Sequence, residues 1–300
     1  MAAVICGSLA FDTIMTFEGR FADQILPDQL HILNVSFLVP ALRRDFGGCA
    51  GNIAYSLNAL GGMALPMATV GSDGADYVAR FKELGIGTEF ILELSDTYTA
   101  QCFITTDLAN NQITAFHPGA MQQAHLNKIA ARSDIRIGII SPDGRDAMLQ
   151  HAEQFKHAGI PFVFDPGQGL PMFSGDELAQ FIEQAGWVTV NDYEGKMLSE
   201  RTGWSEAEIS RRVRGLVVTL GAEGCDVWID GHKTHVPAVK PEAVVDPTGC
   251  GDAWRGALLF GLEQGWDLAR CAALGNRIGA LKIAQRGPQN YQVDLKTLGL

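Results

Sequence analysis

From Ile135 onward the chain repeats one pattern: a short apolar run that stops at a polar or glycine-containing turn, preceded or followed by a stretch with helical spacing. Ile135-Arg136-Ile137-Gly138-Ile139-Ile140 is the first such run. Pro161-Phe162-Val163-Phe164 stops at Asp165-Pro166-Gly167-Gln168, Trp187-Val188-Thr189-Val190 at Asn191, and Leu216-Val217-Val218-Thr219-Leu220 at Gly221. Strands that alternate with helices in this way predict an α/β chain with a mostly parallel sheet and helices on both faces. The run is closed by Asp226-Val227-Trp228-Ile229 and His232-Lys233-Thr234-His235-Val236 around Asp230-Gly231, a tight-hairpin signal that predicts an antiparallel edge. Trp266 to Gln285 reads as a late helix stopped by Gly287-Pro288.

The first half is less regular. Val4 to Cys6 is apolar and runs into Gly7-Ser8, with Asp12 directly after Leu9-Ala10-Phe11, which reads as a first core strand with an acid at its exit. Ligands of open α/β sheets gather at the carboxyl ends of strands, so Asp12 is placed to hold a substrate hydroxyl, although a solvated turn acid satisfies the same pattern. Residues 31 to 39 have strand character and end at Pro40. Gln101 to Thr106 and Gln112 to His117 flank a polar turn as a hairpin. Together these segments predict a small sheet, about 13–45 and 97–120, that acts as a lid over substrate within a single 1–300 domain. His117 is assigned no catalytic role, and Val70-Gly71-Ser72-Asp73-Gly74 reads as a structural strand end.

Two glycine-rich turns open helices. Phe46-Gly47-Gly48-Cys49-Ala50-Gly51-Asn52 leads into an apolar stretch closed by Gly61; its small residues let a ligand approach the backbone, and Asn52 can both donate to and accept from hydroxyls, or simply cap the turn. Val244-Val245-Asp246-Pro247-Thr248-Gly249-Cys250-Gly251-Asp252 reads as strand, loop and helix start. Free N–H groups and the positive end of the helix dipole make such a loop an anion site. Asp252 is out of place there unless it takes a proton from an attacking hydroxyl; the bland alternative is an acid favoured by the dipole.

At 300 residues with 47% hydrophobic and 19% charged, the chain falls in the globular range and is long enough for a full core. A net charge of −11 argues against nucleic-acid binding and requires a local positive site for any anionic substrate. The six cysteines form no C-x-x-C pair and no zinc-like cluster with histidine, so they read as reduced thiols. The start has no basic n-region, and no stretch is long and apolar enough for a membrane span; the expectation is a cytoplasmic enzyme without membrane partners.

Taken in order, Gly7 to Asp12, Gly47-Gly48…Asn52, Asn191-x-x-Glu194, Thr219-Leu220-Gly221…Gly224 and Asp246-Pro247-Thr248-Gly249-Cys250-Gly251-Asp252 resemble the ribokinase-like, or PfkB, carbohydrate kinase family over nearly the whole chain. Asn110 to Thr114, Phe164 to Gln168 and Asp246 to Gly249 most resemble its prokaryotic nucleoside kinases, which include adenosine kinases. The resemblance implies a three-layer α/β/α Rossmann-like ribokinase fold with a β lid. It also implies ATP- and Mg2+-dependent phosphorylation of the 5′-hydroxyl of a nucleoside, adenosine foremost, with a sugar (ribose, fructose or a keto-deoxy sugar acid) as the alternative acceptor.

By the same resemblance Asp252 is the base, and the N–H groups of Gly249, Cys250 and Gly251 stabilise the transferring phosphoryl group. Asp12, Gly47, Gly48 and Asn52 hold the ribose. Thr219, Gly221 and Gly224 approach the nucleotide phosphates, and Asn276 lies near the adenine. Asn191 and Glu194 organise Mg2+, or else form a helix cap with a reciprocal acid. Asp246 marks the place where some relatives bind a monovalent cation such as K+, with Pro247 departing from the commoner threonine. Cys49 replaces a lysine usual in ribokinases, which disfavours ribose itself. Cys250 replaces an alanine and exposes the site to oxidation or alkylation. A monomer, or a homodimer through the lid, is implied. A dinucleotide-dependent oxidoreductase is disfavoured because no G-x-G-x-x-G follows the first strand; a silent nucleotide-binding protein is disfavoured by Asp252.

Overall fold

The apolar runs are strands in the computed structural model, which describes residues 2–25, 31–32, 34–129 and 132–300. In chain order they are β1 (Ala2–Cys6), β2 (Ala10–Thr16), β3 (Ala41–Gly47), β4 (Met63–Gly71), β5 (Ile91–Leu94), β6 (Ala100–Thr106), β7 (Gln112–His117), β8 (Ile135–Ile140), β9 (Phe162–Phe164), β10 (Trp187–Asn191), β11 (Gly215–Thr219), β12 (Gly224–Ile229) and β13 (His232–Pro237). The helices are α1 (Cys49–Ala59), α2 (Ala75–Leu84), α3 (Arg145–Ala158), α4 (Gly175–Gln184), α5 (Asp192–Thr202), α6 (Glu206–Ser210), α7 (Cys250–Glu263), α8 (Leu268–Ile283) and α9 (Leu295–Leu298). None of the described helices is long and apolar enough to cross a membrane.

Nine strands form the main sheet in the order β13-β12-β11-β10-β9-β8-β1-β4-β5. β5 through β11 in that order pair in parallel, and only the β12 hairpin runs antiparallel. Alternation of side chains along each strand feeds two cores. In β1, Ala3 and Ile5 join α1 residues Ile53 and Leu57 and α7 residues Trp254 and Leu258, while Ala2, Val4 and Cys6 face Met148 and Phe155 of α3 and Phe181 of α4. A strand buried on both faces is what a three-layer α/β/α arrangement requires. This is the ribokinase-like architecture that the motifs implied.

A second sheet, β3-β2-β6-β7, stands apart from the main one. Its middle pair β2–β6 is parallel and its outer pairs are antiparallel. The hairpin at 101–117 is as anticipated, but three local expectations fail. Residues 34–40 form no strand; residue 33 lies outside the described residues. The strand starts after Pro40, which lacks an N–H and suits the position before a ladder begins. Phe37 instead packs on Phe17 and Phe21, with ring centroids 4.9 Å away in each case.

Asp12 is not at the exit of β1 either. Gly7 and Ser8 carry the chain out of the main sheet, so Leu9-Ala10-Phe11 leads into β2 and puts Asp12 on the small sheet. Val244-Val245 is no strand; its backbone is engaged by the end of α8 instead. Val244 is 75% exposed, and the N–H groups of Val245 and Asp246 donate to the Ile283 carbonyl at the end of α8, at 2.9 and 3.1 Å.

Candidate active site

β1 is flanked by β4 on one side and β8 on the other, so the chain reverses its direction of winding there. The crevice at the carboxyl ends of those strands is where an open α/β sheet binds ligands. Two helix N-termini meet in it. α1 starts after Gly48, whose φ of 86° is closed to most side chains and whose added Cβ would stand 2.5 Å from the Ser8 carbonyl oxygen. The Ser8 hydroxyl accepts the Cys49 N–H (3.1 Å). α7 starts after Gly249, with φ 75°, where a Cβ would stand 2.6 Å from Cβ of Pro288. Both turns therefore bring the backbone closer to its surroundings than a larger residue permits.

The two helices are joined at Asp252. Its Oδ2 accepts from Nδ2 of Asn52 at 2.8 Å, and Asn52 is buried. The orientation of that amide is set from behind. Nε2 of Gln289 donates both to Oδ1 of Asn52 (3.0 Å) and to the Tyr77 hydroxyl (2.8 Å), and the Tyr77 hydroxyl donates to the Gly47 carbonyl (2.6 Å). With both Gln289 protons used and the Tyr77 proton committed, the Asn52 oxygen must face Gln289 and its NH2 must face Asp252. Burial pushes the Asp252 carboxyl above its ordinary range, while the Asn52 hydrogen bond and the Arg255 charge oppose the rise.

Asp12 faces the same region from the small sheet. A Cβ on Gly47 would meet its carboxylate, so the Gly47-Gly48 turn lies directly against Asp12. Burial and the neighbouring Asp45, Asp252 and Asp246 raise its pKa to about 6, with Arg43 pulling the other way. In the β-ladder Asp12 lies opposite Asp45 and Cys102, and Cys102 lies opposite Phe116, which is 49% exposed. Cross-strand neighbours share a face, so an acid and an exposed aromatic ring lie in one row.

The loop before α7 is held by its own acid. Oδ1 of Asp246 accepts the Thr248 N–H and Oδ2 the Gly287 N–H, both at 2.9 Å, and Arg43 lies 3.5 Å from Oδ2. Against burial, these bonds hold the Asp246 carboxyl below its ordinary range and give it a structural partner set. The Cys250 N–H turns back to the Pro247 carbonyl at 3.2 Å. The free donors at this helix start are thus Gly249, Gly251 and Asp252, whose N–H groups have no acceptor among the described residues; Cys250 does not join them. Burial also raises the Cys250 thiol, which lowers its thiolate fraction, although the residue still lines the cleft beside the helix start.

Beside this helix start lies a cleft of about 610 Å3. Thr219, Gly221, Gly224 and Asn276, all assigned to the nucleotide, line it together with Cys250 and Gly251. Asn276 is fixed by the protein: Oδ1 accepts from Nε1 of Trp254 (3.0 Å), and Nδ2 donates to the Pro237 and Val236 carbonyls (3.0 and 3.2 Å). Its side chain therefore builds the cleft wall. Asn191 and Glu194 are not in the lining. They form the reciprocal cap of α5, Glu194 N–H to Oδ1 of Asn191 and Asn191 N–H to Oε2 of Glu194, both 2.8 Å. Oε1 of Glu194 has no hydrogen-bond or ion-pair partner among the described residues.

Four residues of this site carry no motif. Arg255, buried one turn after Asp252, pairs with the buried Asp165 and lies 4.0 Å from Glu194, so it links the start of α7, the end of β9 and the α5 cap. Its spacing of three from Asp252 places it on the same helix face, a signal readable in advance. Burial raises the Asp165 carboxyl and the Arg255 charge draws it back, while Asp165, Asp252 and Glu194 keep Arg255 protonated. Gln289, Tyr77 and Lys282 left no comparable sign. Among the described residues no three His, Cys, Asp or Glu side chains converge as a metal cluster.

A model of the pfkB family carbohydrate kinases matches residues 16–294. A nucleoside kinase of Methanocaldococcus jannaschii is 31% identical over 260 residues, 85% of each chain. The structure of Burkholderia thailandensis nucleoside kinase in complex with inosine superposes with a TM-score of 0.88 at 52% identity, covering 98% of this chain and 94% of that one. The structure of the same kinase in complex with ADP-inosine gives 0.85 at 54%, covering 98% and 92%.

Proposed function

The chain belongs to the pfkB family of carbohydrate kinases, enzymes that pass a phosphoryl group to a hydroxyl, and from that premise we propose that it phosphorylates the 5′-hydroxyl of a purine nucleoside, adenosine or inosine, with ATP. The observation that carries the reading is the Asn52–Asp252 hydrogen bond, which joins a carboxylate of raised pKa at the start of α7 to α1, close enough to Asp12 for the two charges to influence each other. An acceptor hydroxyl held by Asp12 and the Gly47-Gly48 turn gives its proton to Asp252 as it attacks. The N–H groups of Gly249 and Gly251, backed by the α7 dipole, take up charge on the transferring oxygens. Positioning and neutralisation are the main demands of this chemistry.

ATP occupies the cleft lined by Thr219, Gly221, Gly224 and Asn276 in this reading. Mg2+ keeps most of its waters and takes few protein ligands, which fits the single open oxygen of Glu194 with the nucleotide supplying the rest. When bound it neutralises the phosphates. Phe116, in the Asp12 row, offers a ring for a planar base, which favours a nucleoside over a bare sugar. The face of the small sheet opposite Asp12 exposes Leu42, Phe103 and Ile113, which supports a homodimer through that sheet.

ADP release measured with Mg2+, ATP and a panel of adenosine, inosine, ribose and fructose tests the reading. We expect kcat/KM for the two nucleosides to exceed that for both sugars. Turnover of ribose or fructose without turnover of either nucleoside would show the alternative family activity instead.

A further inference from the structure

Lys282, near the end of α8, has no exposed surface at all. Lysine is almost never fully buried without a partner. Its partners here are two main-chain carbonyls: Nζ donates to that of Asp246 at 2.7 Å and to that of Gln285 at 3.3 Å. Asp246 precedes the Pro247–Gly249 turn that starts α7, and Gln285 follows α8. The ammonium thus ties the phosphate-facing loop to the end of a packed helix.

Converging backbone carbonyls are the donor set that replaces the water shell of a small monovalent cation. The side chains around Lys282 fit a single resident positive charge. Burial, the largest influence, lowers the Lys282 pKa overall; Asp246, the Cys250 thiol and Asp45 oppose it by favouring the charged form, and Arg43 adds to the lowering. Arg43 is itself held by Asp45 (3.0 Å) and Asp246 (3.5 Å). A potassium ion placed on the Asp246 carbonyl would stand against the ammonium already bonded to it, and two like charges in a buried site repel strongly. The residues present therefore do not fit the K+ that the family resemblance raised at Asp246.

We propose that the ammonium of Lys282 is a built-in replacement for a monovalent cation beside the catalytic loop, so that this enzyme positions Gly249, Gly251 and Asp252 without K+. Lys282 acts on the reaction only through the loop and is a positioning residue. The inference deepens the kinase reading and rests on it.

The test compares wild type and Lys282→Ala in choline chloride and in potassium or ammonium chloride at one ionic strength, reading both ADP release and the melting temperature. Wild-type turnover and melting should be the same in all three salts. Lys282→Ala should lose about tenfold or more in kcat in choline, the scale of a lost charged hydrogen bond. K+ or NH4+ should restore part of that loss and raise the melting temperature of the variant alone. Wild-type turnover that rises several-fold with K+ overturns the proposal, as does a folded Lys282→Ala that K+ and NH4+ neither stabilise nor reactivate. If the variant fails to fold, the wild-type arm still decides. Absence of turnover with every acceptor in every salt counts instead against the kinase reading, and the melting comparison stands without turnover.

Discussion

Asp143, in the loop after β8, is a carboxyl that the fold buries without an ion pair. It is 2% exposed; Oδ1 accepts the Gly144 N–H at 2.8 Å, and Oδ2 has no hydrogen-bond partner among the described residues. Burial drives its pKa from the ordinary 3.8 to about 8. A group with a raised folded pKa binds more protons in the native state, so its contribution to stability is complete below 3.8 and is lost as pH rises through 8. The slope is at most about 1.4 kcal/mol per pH unit in that window. Asp143→Asn keeps the shape and the Gly144 bond and removes the titration. Urea unfolding between pH 5 and 8 should therefore give a flatter stability curve for the variant than for wild type; parallel curves would mean that Asp143 is ionised in the native protein. At this scale Asp252, Asn52 and Asp12 were readable because each belongs to a short motif. Gln289, which orients Asn52 from 237 residues away, and Lys282, which in an amphipathic helix reads as a solvated charge, were not.

α7 is the element on which the site turns, and Gly249 sets its start. A side chain there needs a left-handed backbone, at about 1–2 kcal/mol, and must displace Pro288. Gly249→Ala should melt at lower temperature and turn over more slowly, because the loop amides and Asp252 move together; steady-state kinetics beside a thermal melt checks this, and unchanged values for both would show that the turn is tolerant. Elements were legible where the pattern depends on neighbours in sequence. β8, β10 and β11 are apolar enough for a doubly covered sheet, and the β12–β13 turn has left-handed Asp230 and Gly231, with φ 48° and 79°, as a tight hairpin demands. Elements were lost where tertiary contacts decide. Val244-Val245 has the composition of a strand but gives its N–H to the end of α8, while β3 hides behind Arg43-Arg44-Asp45, whose polar side chains reach Asp246 and Asp73.

At the scale of the whole molecule, two halves meet at one carboxylate. On one side the small sheet and α1 bring Asp12, the Gly47-Gly48 turn and Asn52; on the other, α7, α8 and the β11–β12 end form the cleft. Arg43 of β3 reaches across to Asp246, so the small sheet and the loop before α7 touch directly. The overall charge of −11 repels ATP, and the compensating positive elements are local: the start of α7, Lys282 behind it and Lys240 on the cleft wall. On the proposed reading the nucleotide does not need Asp252, whereas transfer does. The direct test is Asp252→Asn, assayed for nucleoside phosphorylation and, by calorimetry, for ATP binding. The account predicts that kcat falls by about 100- to 10,000-fold while ATP affinity stays near that of wild type. Near-normal turnover in Asp252→Asn would contradict it.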